Sequence, residues 1–131
     1  MIGATAILGV AALDVVNVTA VNEPTVVYAA TTTQKTALRQ AKSYYKNMHM
    51  SKQGIYDQLT SDAGDKFDDA SAQYAVDHVK ADWNKNALKA AESYQKDQNM
   101  SPEAIRDQLT SDAGDKFTQD QADYAVSHLP Q

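Results

Sequence analysis

The sequence predicts an all-α protein made of two tandem three-helix repeats that are joined by a long connector helix. A stretch of eleven residues, Asp57–Phe67, returns unchanged as Asp107–Phe117, at an offset of 107 − 57 = 50 residues. Between Thr33 and Pro130, apolar residues recur at three- and four-residue steps, which is the period of an amphipathic helix. A duplicated unit of this size is typical of a structural module used in tandem, and it favours binding over catalysis.

The first 34 residues differ from the rest, because they contain no lysine or arginine. The apolar run Ile2–Leu13 is shorter than the roughly 20 residues of a membrane-spanning helix, and it fits the apolar region of a secretion signal. Val27 and Ala29 have the spacing that signal peptidase reads, with cleavage after Ala29. We therefore predict a signal peptide and disordered leader over residues 1–34. The alternative is a disordered or β-prone tail.

The two repeats are predicted over residues 35–82 and 83–131. The first helix runs from about Lys35 to Asn47, and the second begins after Ser51, a residue that favours the N-cap position. One apolar stripe of the first helix contains Ala37, Leu38, Ala41, Tyr44 and Tyr45. In the second repeat, Ser101 is the matching cap.

A glycine just past the second helix, Gly64, is expected to end it in the left-handed conformation. Asp68 then caps the third helix of the first repeat, and Thr118 with Gln121 forms a capping box in the second. The residues predicted to have structural roles in the repeats are Gly64, Phe67, Tyr74, Trp83, Gly114, Phe117 and Tyr124.

The join between the repeats contains no glycine or proline from Asp69 to Gln98. An apolar stripe continues from Ala72 to Tyr94 without a change of phase, so the sequence predicts one helix of about 45 Å across the join. Asn84 and Asn86 mark the expected kink. Trp83 lies on this stripe, where it is expected to pack the two units together.

The composition limits the classes of function. The formal net charge is −5, which weighs against nucleic-acid binding and is compatible with a basic protein partner. There is no cysteine, so neither a disulfide nor a cysteine nucleophile is available. Ser51 and Ser101 are better explained as helix N-caps than as nucleophiles, so no catalytic residue is predicted.

Aspartates cluster at the duplicated turn Thr60–Asp65 and at its copy, Thr110–Asp115. We interpret them as an acidic surface that docks a cationic helix or peptide, with ordinary helix capping as the alternative. The candidate residues are Asp57, Asp62, Asp65, Asp68, Asp69, Asp107, Asp112, Asp115 and Asp120. Their spacing does not match a calcium-binding loop. His78 and His128 lack metal-ligand partners at suitable spacing, so no metal, cofactor or small-molecule substrate is predicted.

One string of residues is specific enough to indicate a family. In the first repeat it consists of Tyr44, Met50-Ser51, Gln58-Leu59, Gly64, Phe67 and Ala72-x-Tyr74-Ala75-Val76. The same string returns from Tyr94 to Val126. It resembles the repeat of the Ltp family of host-cell-surface-exposed lipoproteins, and the resemblance covers about residues 35–130.

The resemblance implies small helix-turn-helix-like units joined by a rigid helix and displayed outside a Gram-positive cell. It also implies superinfection exclusion, in which an acidic surface engages a basic phage protein such as the tape-measure protein and blocks DNA injection. The lipid anchor of the family is a cysteine, and none is present here, so a secreted or otherwise retained protein is expected.

Two other functions remain open from the sequence. One is a cell-envelope adaptor with no role against phages, and the other is a peptide-binding regulator of an envelope enzyme. The aspartates discriminate between these hypotheses, because phage exclusion requires their charge and a scaffold role does not.

Overall fold

A β-hairpin precedes the helical part of the molecule. The computed structural model describes residues 14–19 and 25–130. Strand β1 (Asp14–Thr19) pairs antiparallel with β2 (Thr25–Ala29), and the register shifts between Val15 and Asn17. The described part of the predicted leader forms this hairpin, which agrees with the β-prone alternative and with its valine content. The predicted signal region Ile2–Leu13 lies outside the described residues, and secretion stays a prediction.

Two three-helix units form the rest of the described chain, which confirms the all-α class. The first contains α1 (Thr32–Met48), α2 (Lys52–Thr60) and α3 (Asp69–His78), and the second contains α4 (Trp83–Gln98), α5 (Pro102–Thr110) and α6 (Gln119–Ser127). Within each unit the first helix packs most extensively against the third, and the short second helix packs against both.

Side-chain caps fix the start of every helix in residues 31–130. The predicted caps are confirmed, and Thr118 with Gln121 forms the predicted capping box. A second capping box, between Thr31 and Gln34, starts α1 at Thr32, three residues earlier than predicted. Each cap satisfies backbone N–H groups that have no partner inside the helix.

Each unit has its own hydrophobic core. Ile55 and Leu59 project from α2 into the first core, and Ile105 and Leu109 project from α5 into the second; all four have no solvent exposure. Small alanines on the flanking helices allow close approach: Ala37, Ala41, Ala72 and Ala75 in the first unit, and Ala87, Ala91, Ala122 and Ala125 in the second. The cores are thus built from the repeated apolar stripes.

The predicted continuous connector helix is wrong. Helix α3 ends at His78, Val79 takes an extended conformation, and Asp82 caps a new helix at Trp83. The apolar stripe continues through this break because Val79 and Trp83 both pack on the first core. Periodicity alone cannot distinguish this arrangement from one continuous helix.

Asn86, predicted as part of a kink, instead lies within α4 and anchors it to the first unit. Its side chain is buried, and its amide donates hydrogen bonds to the backbone oxygens of Tyr45 at 3.2 Å and Met50 at 2.9 Å. These two bonds satisfy a polar group that would be costly to bury unpaired. The second unit is therefore held against the first at the start of α4.

The role predicted for Gly64 also needs correction. Helix α2 ends at Thr60, and Lys66, not the glycine, takes the left-handed conformation, with φ 60°. A Cβ at Gly64 would lie 2.6 Å from the Gln58 backbone oxygen and 2.7 Å from its side-chain nitrogen. Gly64 is needed because the turn folds back closely over α2.

We expect Gly64→Ala to destabilise the protein by about 1–3 kcal/mol, since the added methyl group overlaps backbone that cannot move freely. Gly54→Ala is the matched control. Its added Cβ would lie 3.6 Å from the Asp115 backbone oxygen, an ordinary contact distance, and the one closer atom would be the Ser51 hydroxyl at 3.0 Å. Urea unfolding of both variants measures the difference. Equal stabilities of the two variants would contradict the close approach as the reason for Gly64.

Candidate functional site

The acidic turns are tied closely to the helices that precede them. In the first turn, the N–H of Asp65 donates to the Gln58 oxygen at 3.2 Å, and the N–H of Phe67 donates to the Leu59 oxygen at 2.7 Å. The second turn makes the same bonds at the same two lengths. Both turns therefore have one backbone conformation, which places equivalent aspartates in equivalent positions on the two units.

Two of the nine candidate aspartates accept hydrogen bonds from core-flanking tyrosines. The Tyr44 hydroxyl donates to Asp65 and the Tyr94 hydroxyl donates to Asp115, each at 2.7 Å. Burial raises the pKa of the Asp115 carboxyl, and the Tyr94 hydrogen bond opposes that shift. A third candidate, Asp68, accepts from the Ser71 N–H as the cap of α3. These three carboxylates stabilise the fold locally.

Asp57 joins the two units. Its carboxylate binds the Lys116 ammonium at 2.5 Å, and the Ser51 hydroxyl donates to the Asp115 backbone oxygen beside it. Partial burial opposes ionisation of Asp57, but hydrogen bonds from Lys116 and Gln53 hold its pKa below its usual range. The N-cap of α2, Ser51, and Asp57 within the helix thus form the docking point for the second turn.

The remaining five candidates are exposed. Asp62, Asp69, Asp107, Asp112 and Asp120 have largely solvent-accessible side chains. They include both turn tips and the first turns of α3 and α6, where negative charge is favourable beside the positive end of the helix dipole. The structure therefore separates four aspartates that are bonded within or between the units from five whose side chains are exposed, of which Asp69 interacts with Tyr56.

The aromatic residues singled out in the sequence lie beside the cores. Trp83 is half-buried on the first core and meets Tyr45 edge to face, with ring centroids 5.4 Å apart. Tyr74 stacks on His78, and Tyr124 stacks on His128. The histidines thus cover the tyrosines.

Among residues 14–19 and 25–130, no group of three or more ligating side chains could hold a metal ion.

We did not predict from the sequence that three residues hold the two units together: Tyr45, Asn86 and the lysine of the second turn, Lys116. Tyr45 accepts a hydrogen bond from the Asp82 N–H at 2.9 Å, which fixes the connection between α3 and α4. For two of these residues the sequence contained an indication. At the offset between the repeats, Tyr45 corresponds to Gln95, and Asn86 corresponds to Thr36, so the copies differ at both positions. Differences between the copies indicate the contacts that only one copy makes.

The Tyr94–Asp115 pair predicts an alkaline loss of stability. Burial, reinforced by Asp115, raises the pKa of Tyr94 from 10.0 to about 12. Because the folded protein keeps this proton to higher pH than the unfolded chain, the associated stability is present below pH 10.0 and is lost as pH rises toward about 12. Tyr94→Phe should flatten the fall of the melting temperature over that range. A slope equal to that of the native protein would contradict the assignment.

The fold and its surface define a class of protein: a tandem three-helix module with polar contacts between its units and exposed carboxylates on matching turns. A family model, described as host cell surface-exposed lipoprotein (Lipoprotein_Ltp), matches residues 32–79 and 82–129, one match in each unit. The chain belongs to this family.

A solved structure agrees with this assignment. It is that of Ltp, a superinfection exclusion protein from the Streptococcus thermophilus temperate phage TP-J34. The two chains are 45% identical, the match covers 78% of this chain and 100% of the other, and the TM-score is 0.71. No curated protein matches the sequence. Within the part of the chain that the structure describes, there is no helix with the length and apolar character needed to cross a membrane.

Proposed function

We propose that this protein excludes superinfecting phages at the host cell surface by blocking the entry of their DNA. The observation that carries the proposal is the likeness to the phage TP-J34 exclusion protein, which extends over the whole of that chain at 45% identity. The family description, a host cell surface-exposed lipoprotein, supports the same cellular location. The protein acts by binding and not by turnover.

The binding surface that we propose consists of the five exposed aspartates on the two turns and the adjoining helix ends: Asp62, Asp69, Asp107, Asp112 and Asp120. Their side chains are accessible, although Asp69 also interacts with the Tyr56 hydroxyl. The other four candidate aspartates are held by partners within the fold. Asp62 and Asp112 occupy equivalent turn tips on the two units, which suits a basic segment that can contact both. Such a surface mainly accelerates and orients association, and salt weakens it.

The partner that we propose is a basic segment of an injected phage protein, with the tape-measure protein as the first candidate. Purified protein titrated with overlapping tape-measure segments of an excluded phage tests this directly. Basic segments should bind and lose affinity as salt rises. Binding that is confined to uncharged segments would remove the tape-measure interaction from the proposal.

A plating experiment tests the function itself. Phages are plated on a host that exports the protein, and adsorption, potassium leakage and DNA entry are measured on the same cultures. We expect normal adsorption with loss of DNA entry and of plaques. Unchanged plating across a phage panel would overturn exclusion and favour a cell-envelope adaptor.

A further inference from the structure

A cationic face on α1 stands apart from the acidic turns. Helix α1 contains four basic residues and no aspartate or glutamate. The four residues, Lys35, Arg39, Lys42 and Lys46, follow one another at steps of four, three and four, so they lie along one side of the helix. All four are exposed. They form a line of about 16 Å, given a rise of 1.5 Å per residue.

The line ends in an open pocket of about 440 Å³ between α1 and the end of α3. Lys42, Lys46 and Lys80 supply three ammonium groups at this pocket, and Val79 and Tyr45 supply apolar surface. Within residues 31–130, none of the three ammonium groups has a hydrogen bond or ion pair with another side chain, whereas Lys52, Arg106 and Lys116 all pair with carboxylates. The pocket therefore presents three uncompensated positive charges around an apolar floor.

The second repeat does not reproduce this pocket. Glu92 stands at the position of Lys42, Gln95 at that of Tyr45, and Pro130 at that of Lys80, while only Lys96 keeps the charge of Lys46. The formal charge at the matched positions falls from +3, for Lys42, Lys46 and Lys80, to 0, for Glu92 and Lys96. The pocket is thus a property of the first unit, and it is separate from the surface duplicated in both turns.

We propose that this face, Lys35, Arg39, Lys42, Lys46 and Lys80, docks the protein on an anionic phospholipid surface, with a lipid phosphate seated in the pocket. A straight row of exposed cations can meet a flat anionic surface along its whole length, and the lysine ammonium is a compact partner for phosphate. The apolar floor accommodates the carbon skeleton next to that phosphate. The family description places its members at the host cell surface, where such a membrane is within reach.

The chemistry favours a membrane over a nucleic acid. Four of the five cations are lysines, and the pocket offers one half-buried tyrosine, not a row of exposed aromatic rings on which bases could stack. A lipid bilayer requires contact only along the cationic side.

Vesicle sedimentation tests the proposal with the purified full chain. The probes are vesicles of phosphatidylglycerol mixed with phosphatidylcholine, vesicles of phosphatidylcholine alone, and a short DNA duplex. We expect binding only to the phosphatidylglycerol vesicles, with a loss when the salt is raised to a Debye length of about 3 Å. Equal binding to both vesicle types, or tighter binding to the duplex, would overturn the proposal.

Two triple variants with the same loss of charge separate the pocket from general electrostatics. Lys42→Gln with Lys46→Gln and Lys80→Gln should weaken vesicle binding by about tenfold or more, since each cation near a charged membrane contributes severalfold to affinity. The control removes Lys85, Lys89 and Lys96 in the same way, and it should change binding less than about threefold. Equal losses in the two variants would show that the face has no special role and would overturn the proposal.

Discussion

Neutralising the five exposed aspartates should abolish exclusion without unfolding the protein. The variant replaces Asp62, Asp69, Asp107, Asp112 and Asp120 with asparagine, which removes five negative charges and retains the shape of each side chain. None of the five is the N-cap of a helix, because that position belongs to Asp68 in α3 and to Thr118 in α6. We therefore expect plating to recover by orders of magnitude while the melting temperature stays within a few degrees.

The control for this variant removes five acidic charges elsewhere: Asp77, Glu92, Asp97, Glu103 and Asp123. Three of these carboxylates form exposed ion pairs, with Lys52 or Arg106, and such pairs contribute little to stability. The control variant should exclude phages as the native protein does. If both variants lose exclusion equally, net charge and not the location of the aspartates determines the activity. If neither does, the acidic surface is not the binding site.

Leu59→Ala should strongly destabilise the protein, with a cost of about 2–5 kcal/mol. The Leu59 side chain has no solvent exposure and packs in the first core, so its truncation removes buried apolar contacts and leaves a cavity. Leu38→Ala is the control, because Leu38 is only partly buried against the same core. Thermal melts should show a fall of at least about 8 °C for Leu59→Ala. A fall no larger than that of Leu38→Ala would contradict the core assignment.

The duplication made most of the fold predictable from the sequence. Because the two copies keep the same apolar stripes, each copy supported the interpretation of the other. The caps at Ser51 and Ser101 are repeated, whereas Asp68 and Thr118 were recognised from their own residue types. Periodicity failed at the join, where Val79 and Trp83 belong to the first core although they continue the stripe of a single helix.

The acidic surface was predictable only as a set of nine residues. The sequence does not show which carboxylates meet a tyrosine hydroxyl or a lysine from the other unit, because those contacts depend on distant residues such as Tyr94 and Lys116. The same limitation applies to the pocket between α1 and the end of α3, because packing brings its lysines, Lys42, Lys46 and Lys80, together.

The four-residue break between α3 and α4 has a consequence for how the chain acquires its structure. The extensive helix–helix contacts lie within one unit or the other, so the first unit needs no residue of α5 or α6 to complete its core. A chain that leaves the ribosome or a translocation channel N-terminus first can therefore fold in two sequential steps, each fast because its contacts are local in sequence. Asn86 and Lys116 then serve as the late contacts by which the second unit assembles on a finished first one.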